Sequence, residues 1–123
     1  MMTYTEIYTA INTALTAIAV QKYYTLVPTN VVYPHILVQI ISDVPGYTKD
    51  VASVSGMLTT YRVQIDVRAK DQTTVSAHTY SVMAAMHNAT EFFARKETSG
   101  SPLVWDTNEH VYRSVNDYII KKI

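Results

Sequence analysis

Cysteine is absent from the 123-residue chain. That excludes disulfides, thiolate chemistry and cysteine-based zinc sites. Glycine is scarce: Gly46, Gly56 and Gly100 are all there are. None of them falls in a spacing that cradles a phosphate, so dinucleotide and P-loop readings fail. Ser55-Gly56 lacks the flanking glycine of a nucleophile elbow. Charge is short as well, at 16% of residues against about 25% in an average soluble domain. Ten basic residues balance ten acidic ones, so nothing marks a basic nucleic-acid binder or an acidic tail. Nowhere does an apolar run approach the roughly 18 residues of a membrane span. The opening MMTYTEIYTA has neither the basic region nor the apolar core of a leader. The expectation is a protein made and used on the cytoplasmic side, with no membrane contact.

What is present is pattern. In Thr59–Lys70, the odd positions Tyr61, Val63, Ile65, Val67 and Ala69 are apolar. The even positions Arg62, Gln64, Asp66, Arg68 and Lys70 are polar. Strict alternation over that length predicts a strand of roughly 40 Å with one dry and one wet face. Its length and charged outer face point to an open antiparallel sheet, unlike the all-apolar strands of a doubly wound enzyme.

Around it the other elements fall into order. Thr3 and Glu6 read as a capping box. Ile7, Ile11, Ala14, Leu15 and Ile18 follow at helical spacing, predicting a helix from Thr5 to Ala19. Val20–Asn30 is a connector, with a short extended piece at Tyr23–Val27 as an option. Val31–Ser42 is rich in β-branched residues and reads as a strand, with Pro34 near its start or on an edge. Asp43–Ser55 reads as a long polar loop turning at Pro45-Gly46. A second helix is expected from Thr73 to His87, with Val75, His78, Val82 and Met86 on one face and Asn88 as its stop. Glu91–Glu97 and Val111–Lys122 supply two further strands. The chain, 1–123, is thus expected to be one α+β domain of order α-β-β-α-β-β. It should be a two-layer sandwich: a mainly antiparallel sheet of about four strands, with two helices on one face. The stripe Arg62, Gln64, Asp66 and Arg68 would then lie on the open face.

The search for chemistry returns little. His87 and Glu91 lie at i, i+4, but the helix should end between them and no third ligand is evident, so no metal site is expected. Asp66 sits among Arg62, Arg68 and Lys70. A general base would need burial or a like charge to raise its pKa, whereas neighbouring cations lower it; a cross-strand ion pair on a solvated face is the simpler reading. Met83 and Met86 read as core fillers. No catalytic residue and no cofactor are expected. A rival reading, a small enzyme or ligand-binding domain with a pocket between helices and sheet, would need convergent polar groups on the dry face. The organising strand supplies only Tyr61.

Four stretches together resemble a known family. They are YPHILVQIISDVPG (Tyr33–Gly46), YRVQIDVRAKD (Tyr61–Asp71), AAMHN closing the second helix (Ala84–Asn88) and VYRSVNDYII (Val111–Ile120). In that order they resemble the tail terminator, or tail completion, proteins of long-tailed bacteriophages; correspondence is least between Ala89 and His110. The resemblance implies a structural virion protein at the head–tail junction, assembled in the host cytoplasm. It implies a homo-hexameric ring that caps the tail tube protein's assembly and meets a head-side connector, with DNA passing through unrecognised. Another head–tail joining component is the neighbouring alternative. Ring contacts of the head-to-tail kind join two different patches. The expected patches are Val44, Tyr47 and Val51 in the first long loop and Leu103 and Trp105 in a second, turn-rich loop that opens at Thr98–Pro102, with Arg62, Gln64, Asp66 and Arg68 on the open face.

Overall fold

The computed structural model describes residues 4–47, 57–97 and 103–122, with backbone alone at 43–47, 57–59 and 122. In chain order the elements are α1 (Tyr4–Ala14), β1 (Gln21–Tyr24), β2 (His35–Tyr47), β3 (Met57–Ala69), α2 (Gln72–His87), β4 (Phe92–Lys96), β5 (Val104–Asp106) and β6 (Val111–Lys122). The fold is α+β, with the strands in one sheet of order β1-β2-β3-β6-β4, and β5 also pairing with β6. β4 and β5 lie along the same side of β6. β4 sits against Tyr118–Lys122 and β5 against Val111–Arg113.

The organising strand behaves as its pattern demands. Tyr61, Val63, Ile65, Val67 and Ala69 are all buried. They join Ile7, Ile11 and Leu15 from the α1 region and Val75, Val82 and Met86 from α2 in one apolar cluster. Both helices therefore cover the same face, as expected.

The strand count and order differ from the expectation. Six strands replace four, because β1 and β5 are only four and three residues long. Strands so short carry no readable period; pairing with a long neighbour holds them in place. β1 runs parallel to β2, so the sheet is mixed. The expected loop at Asp43–Ser55 also gives up residues 43–47 to a strand. β2 continues through Pro45 and Gly46, which pair with Thr59 and Leu58. A register shift at Ile41, between Ile40 and Ser42, bends the strand. β1 reaches only Val38, so Pro45 stands on an edge, where a missing N–H leaves no ladder bond unmade. At the other end β2 starts at His35, after the cis Tyr33–Pro34 peptide.

α1 closes at Ala14 rather than Ala19. The chain continues in tight turns that keep Leu15 and Ile18 buried, with the Ile18 amide donating to the Leu15 carbonyl at 3.0 Å. Apolar spacing registered the burial but could not tell a helix from successive turns. The capping position Thr3 lies outside the described residues. α2 matches its expected span within one residue, and Asn88 caps it with its amide on the Ala84 carbonyl. No helix among the described residues is long and apolar enough to cross a membrane.

Candidate functional site

The β2–β3 and β3–β6 registers place His35 opposite Arg68, and Arg68 opposite Arg113, on the face the helices leave open. Two guanidinium groups on adjacent strands repel unless carboxylates lie between them. Asp66, two residues along β3 on the same face, supplies the first. Its Oδ2 accepts from Arg68 Nε at 3.1 Å and Nη2 at 3.0 Å, and from Arg113 Nη2 at 3.0 Å. Glu109, in the turn between β5 and β6, supplies the second. Its Oε1 accepts from Arg68 Nη1 at 2.6 Å, and its Oε2 accepts from the Tyr33 hydroxyl at 2.7 Å. Asp106 completes the chain, 3.8 Å from Arg113 Nη1. Its other oxygen accepts from the amides of Asn108 and Glu109, an Asx-type turn that orients Glu109.

This network is far drier than a sheet surface. The Asp66 side chain is 3% exposed and that of Arg68 13%. Leu37 lies opposite Asp66 on β2 and is itself buried, so an apolar neighbour helps shield the pair. His35 is buried between the rings of Tyr23 and Tyr33, with centroids 5.2 and 5.1 Å away. Its Nδ1 lies 3.0 Å from the Val32 carbonyl, which makes that nitrogen the protonated one.

Protonation follows from these contacts. Burial is the main influence on His35 and lowers its pKa, so the ring is neutral at physiological pH. The hydrogen bonds from Arg68 and then Tyr33 hold Glu109 below the ordinary glutamate value. The Glu109 amide, followed by that of Asn108, holds Asp106 down against desolvation. Burial, reinforced by the bond to Glu109, pushes Tyr33 up to about 12. Arg68 is desolvated, but bonds to Glu109 and Asp66 raise its pKa. Each group is held in one state near neutrality. Such an arrangement fixes backbone segments in place, and it does not present a carboxyl poised to exchange a proton. Among the described residues no group of three or more His, Asp or Glu side chains is arranged to hold a metal ion.

The sequence relationship is decisive. A family model described as "Tail completion protein gp17" matches residues 5–119. The chain belongs to that family. A comparison with curated proteins found no match. The chain is accordingly a structural protein of a phage tail and a component of the virion, working against other tail components.

Within this tail completion protein, the residues singled out from the sequence are not brought to one place. Asp66 and Arg68 join the network. Arg62 lies towards the other end of β3, bonded to Asp117 on β6 at 2.8 Å, and Gln64 is half-buried between them. Asp66 does take part in a cross-strand ion pair, as expected, but a buried one. Leu103 is exposed, and Trp105 on β5 is 44% exposed with its ring 4.7 Å from that of Tyr112. Val44 and Tyr47, expected in a loop, lie instead in β2, at the opposite end of the sheet. Val51 lies outside the described residues.

Sequence reasoning missed Tyr33, Asp106, Glu109 and Arg113 as partners. Arg113 sat in a legible alternation (Val111, Arg113, Val115, Asp117), which placed it on the open face with Asp66 once the two strands were paired. Glu109 had no such signal. The helix-side face is also less apolar than β3 alone implied. Ser114 and Asn116 of β6 are buried there, Asn116 Nδ2 donating to Ser114 Oγ at 3.0 Å.

Proposed function

We propose that this tail completion protein closes into a homo-hexameric ring that caps the tail tube, presents a joining surface to the head-side connector and lets DNA pass through its centre. One observation carries the reading. Exposed large apolar side chains occupy both flanks of the sheet and spare its central strands. On the β1–β2 flank are Leu26 at 78%, Val32 at 58% and Ile41 at 48%; on the β5 flank are Leu103, Val104 and Trp105 at 36–47%. Two different sticky flanks on one subunit favour head-to-tail contacts, which close into rings. Neutral net charge removes the long-range repulsion that would keep copies apart. Each contact is expected to bury about 800 Å² per partner, centred on these side chains.

In this reading Leu103 and Trp105 of one copy meet the Leu26–Val32 connector of the next. The β2–β3 arm, with Val44 and Tyr47 in β2, extends past the last β3–β6 pair, Thr60 and Lys121, and is available to the tube or the connector, as is Val51 in this reading. Arg62 and Gln64 belong to the same joining surface, while Asp66 and Arg68 shape it from beneath. Light scattering of the purified chain, with and without isolated tail tubes, tests the proposal together with negative-stain images of both. Annular particles at tube ends are expected. Monomers that ignore tube ends at high concentration would remove the ring from consideration.

A further inference from the structure

We propose that the free edge of β4 is a docking site for an extended acidic segment of a partner protein, which adds to the sheet as a further strand. β4 is the last strand in the sheet order and pairs only with β6 among the described strands. The Glu97 amide donates to the Asp117 carbonyl at 2.9 Å. Antiparallel alternation then turns the backbone of Phe93 and Arg95 towards β6, and that of Phe92, Ala94 and Lys96 outward. β4 contains no proline or glycine and no register shift. The free part of β2, by contrast, carries both the shift at Ile41 and Pro45. Of these two edges, β4 is the one left competent to pair.

The side chains beside this edge define what would pair with it. The open-face residues Phe93, Arg95, Ile119 and Lys121, with Ala94 between the first two, line a shallow groove of about 210 Å³. Phe93 is 65% exposed, and the Arg95 side chain is 76% exposed, its carboxylate contact to Glu97 a loose 3.3 Å. Lys121 is exposed beside them. Cations on an edge repel basic strands, and by the same Coulomb term select acidic ones. Ladder groups supply affinity and the groove supplies side-chain choice, the usual division in strand addition. A second copy is a poorer occupant: its free β2 stretch carries Pro45, and its own β4 would set Arg95 and Lys96 against like charges. Nucleic acid is poorer too: Glu97 and Asp117 offset much of the positive charge, and phosphate binding makes no use of a strand edge. The site lies at the opposite end of the sheet from Tyr33 and Glu109, so it stands or falls independently of the ring.

The test uses the full-length ¹⁵N-labelled chain and a capped peptide, Ser-Val-Thr-Glu-Thr-Val-Ser, whose alternate side chains would meet Phe93 and Arg95. Amide shifts confined to residues 92–97 and 119–121 are expected. Affinity should fall about fivefold or more when the peptide's Glu becomes Lys, and when its alternate amides are N-methylated. Arg95→Glu should reverse the preference, so that the Lys peptide binds better; its exposure leaves the fold intact. Equal binding of both peptides, survival of binding after N-methylation, or no binding at all would overturn the proposal. So would tighter binding of oligothymidylate at the same amides, or β4 shifts that track protein concentration alone.

Discussion

Tyr33 and Glu109, 76 positions apart in the chain, meet in a 2.7 Å hydrogen bond that ties the segment before β2 to the turn before β6. The bond carries one flank's connector to the other flank's turn across the width of the sheet. Val32, next to Tyr33, and Trp105, next to Asp106, are both among the exposed apolar side chains. The network thus holds two proposed ring surfaces in fixed relation.

Removing the hydroxyl should loosen that relation without unfolding the protein. Tyr33→Phe leaves a carboxylate that is still bonded to Arg68 and partly in water, so a loss of about 1 kcal/mol is expected in urea denaturation. Hydrogen exchange should accelerate at 25–34 and 107–110 before any change in the β3 amides. Uniform acceleration across the sheet would contradict the tie.

Asp66 is the costlier position. Asp66→Ala leaves Arg68 and Arg113 facing each other in a dry site, and a destabilisation of about 3–5 kcal/mol is expected. Arg62→Ala, at an exposed pair on the same strand, should cost far less, since solvent screens that pair. Equal losses at the two positions would mean that burial does not set the difference.

Acid should destabilise the fold in two stages. His35 has a lowered pKa in the fold, so its contribution is fully present above its ordinary value of 6.5 and is lost as pH falls below it. Glu109 and Asp106 are also lowered, and their contributions are lost further down, through the carboxylate range. Tyr33 has the opposite sign: its contribution holds up to its ordinary value of 10 and is lost as pH rises through about 12. Thermal melts between pH 7 and 5 should therefore slope downward in the native protein and flatten in His35→Phe. An unchanged slope in that variant would assign the titration elsewhere.

Ring formation should depend on both flanks. Trp105→Ala and Leu26→Ser each remove an exposed side chain, so melting temperatures should hold while the annular fraction falls. In a mixture, the intact Trp105 flank of one variant meets the intact Leu26 flank of the other, while both outer ends of that pair are altered, so dimers and not rings are expected. A mixture that stays monomeric would speak against head-to-tail contacts.

Pro45→Thr should make the chain stickier. The substitution restores an outward N–H on a strand edge that β1 does not cover. Light scattering is expected to rise with concentration in the variant beyond the native protein, with far-ultraviolet circular dichroism unchanged.

Much of this was legible in local pattern. The alternation from Tyr61 to Lys70 determined one long strand and named its dry side, because side-chain period and burial are the same fact in a pleated chain. Helical spacing located α2 within a residue and put Val75, Val82 and Met86 inward. Balanced charge and the lack of glycine loops pointed away from the common nucleotide sites, and the ordered words of the chain pointed to its family. Tertiary structure decided the rest. β1 and β5 exist because β2 and β6 offer edges to pair with, and Pro45 stays in a strand because no described strand lies beyond it. Asp66 is dry because Leu37, Arg68 and Arg113 arrive from three strands to enclose it. Local preferences act over a few residues, whereas burial of a charge depends on which distant segments come to surround it.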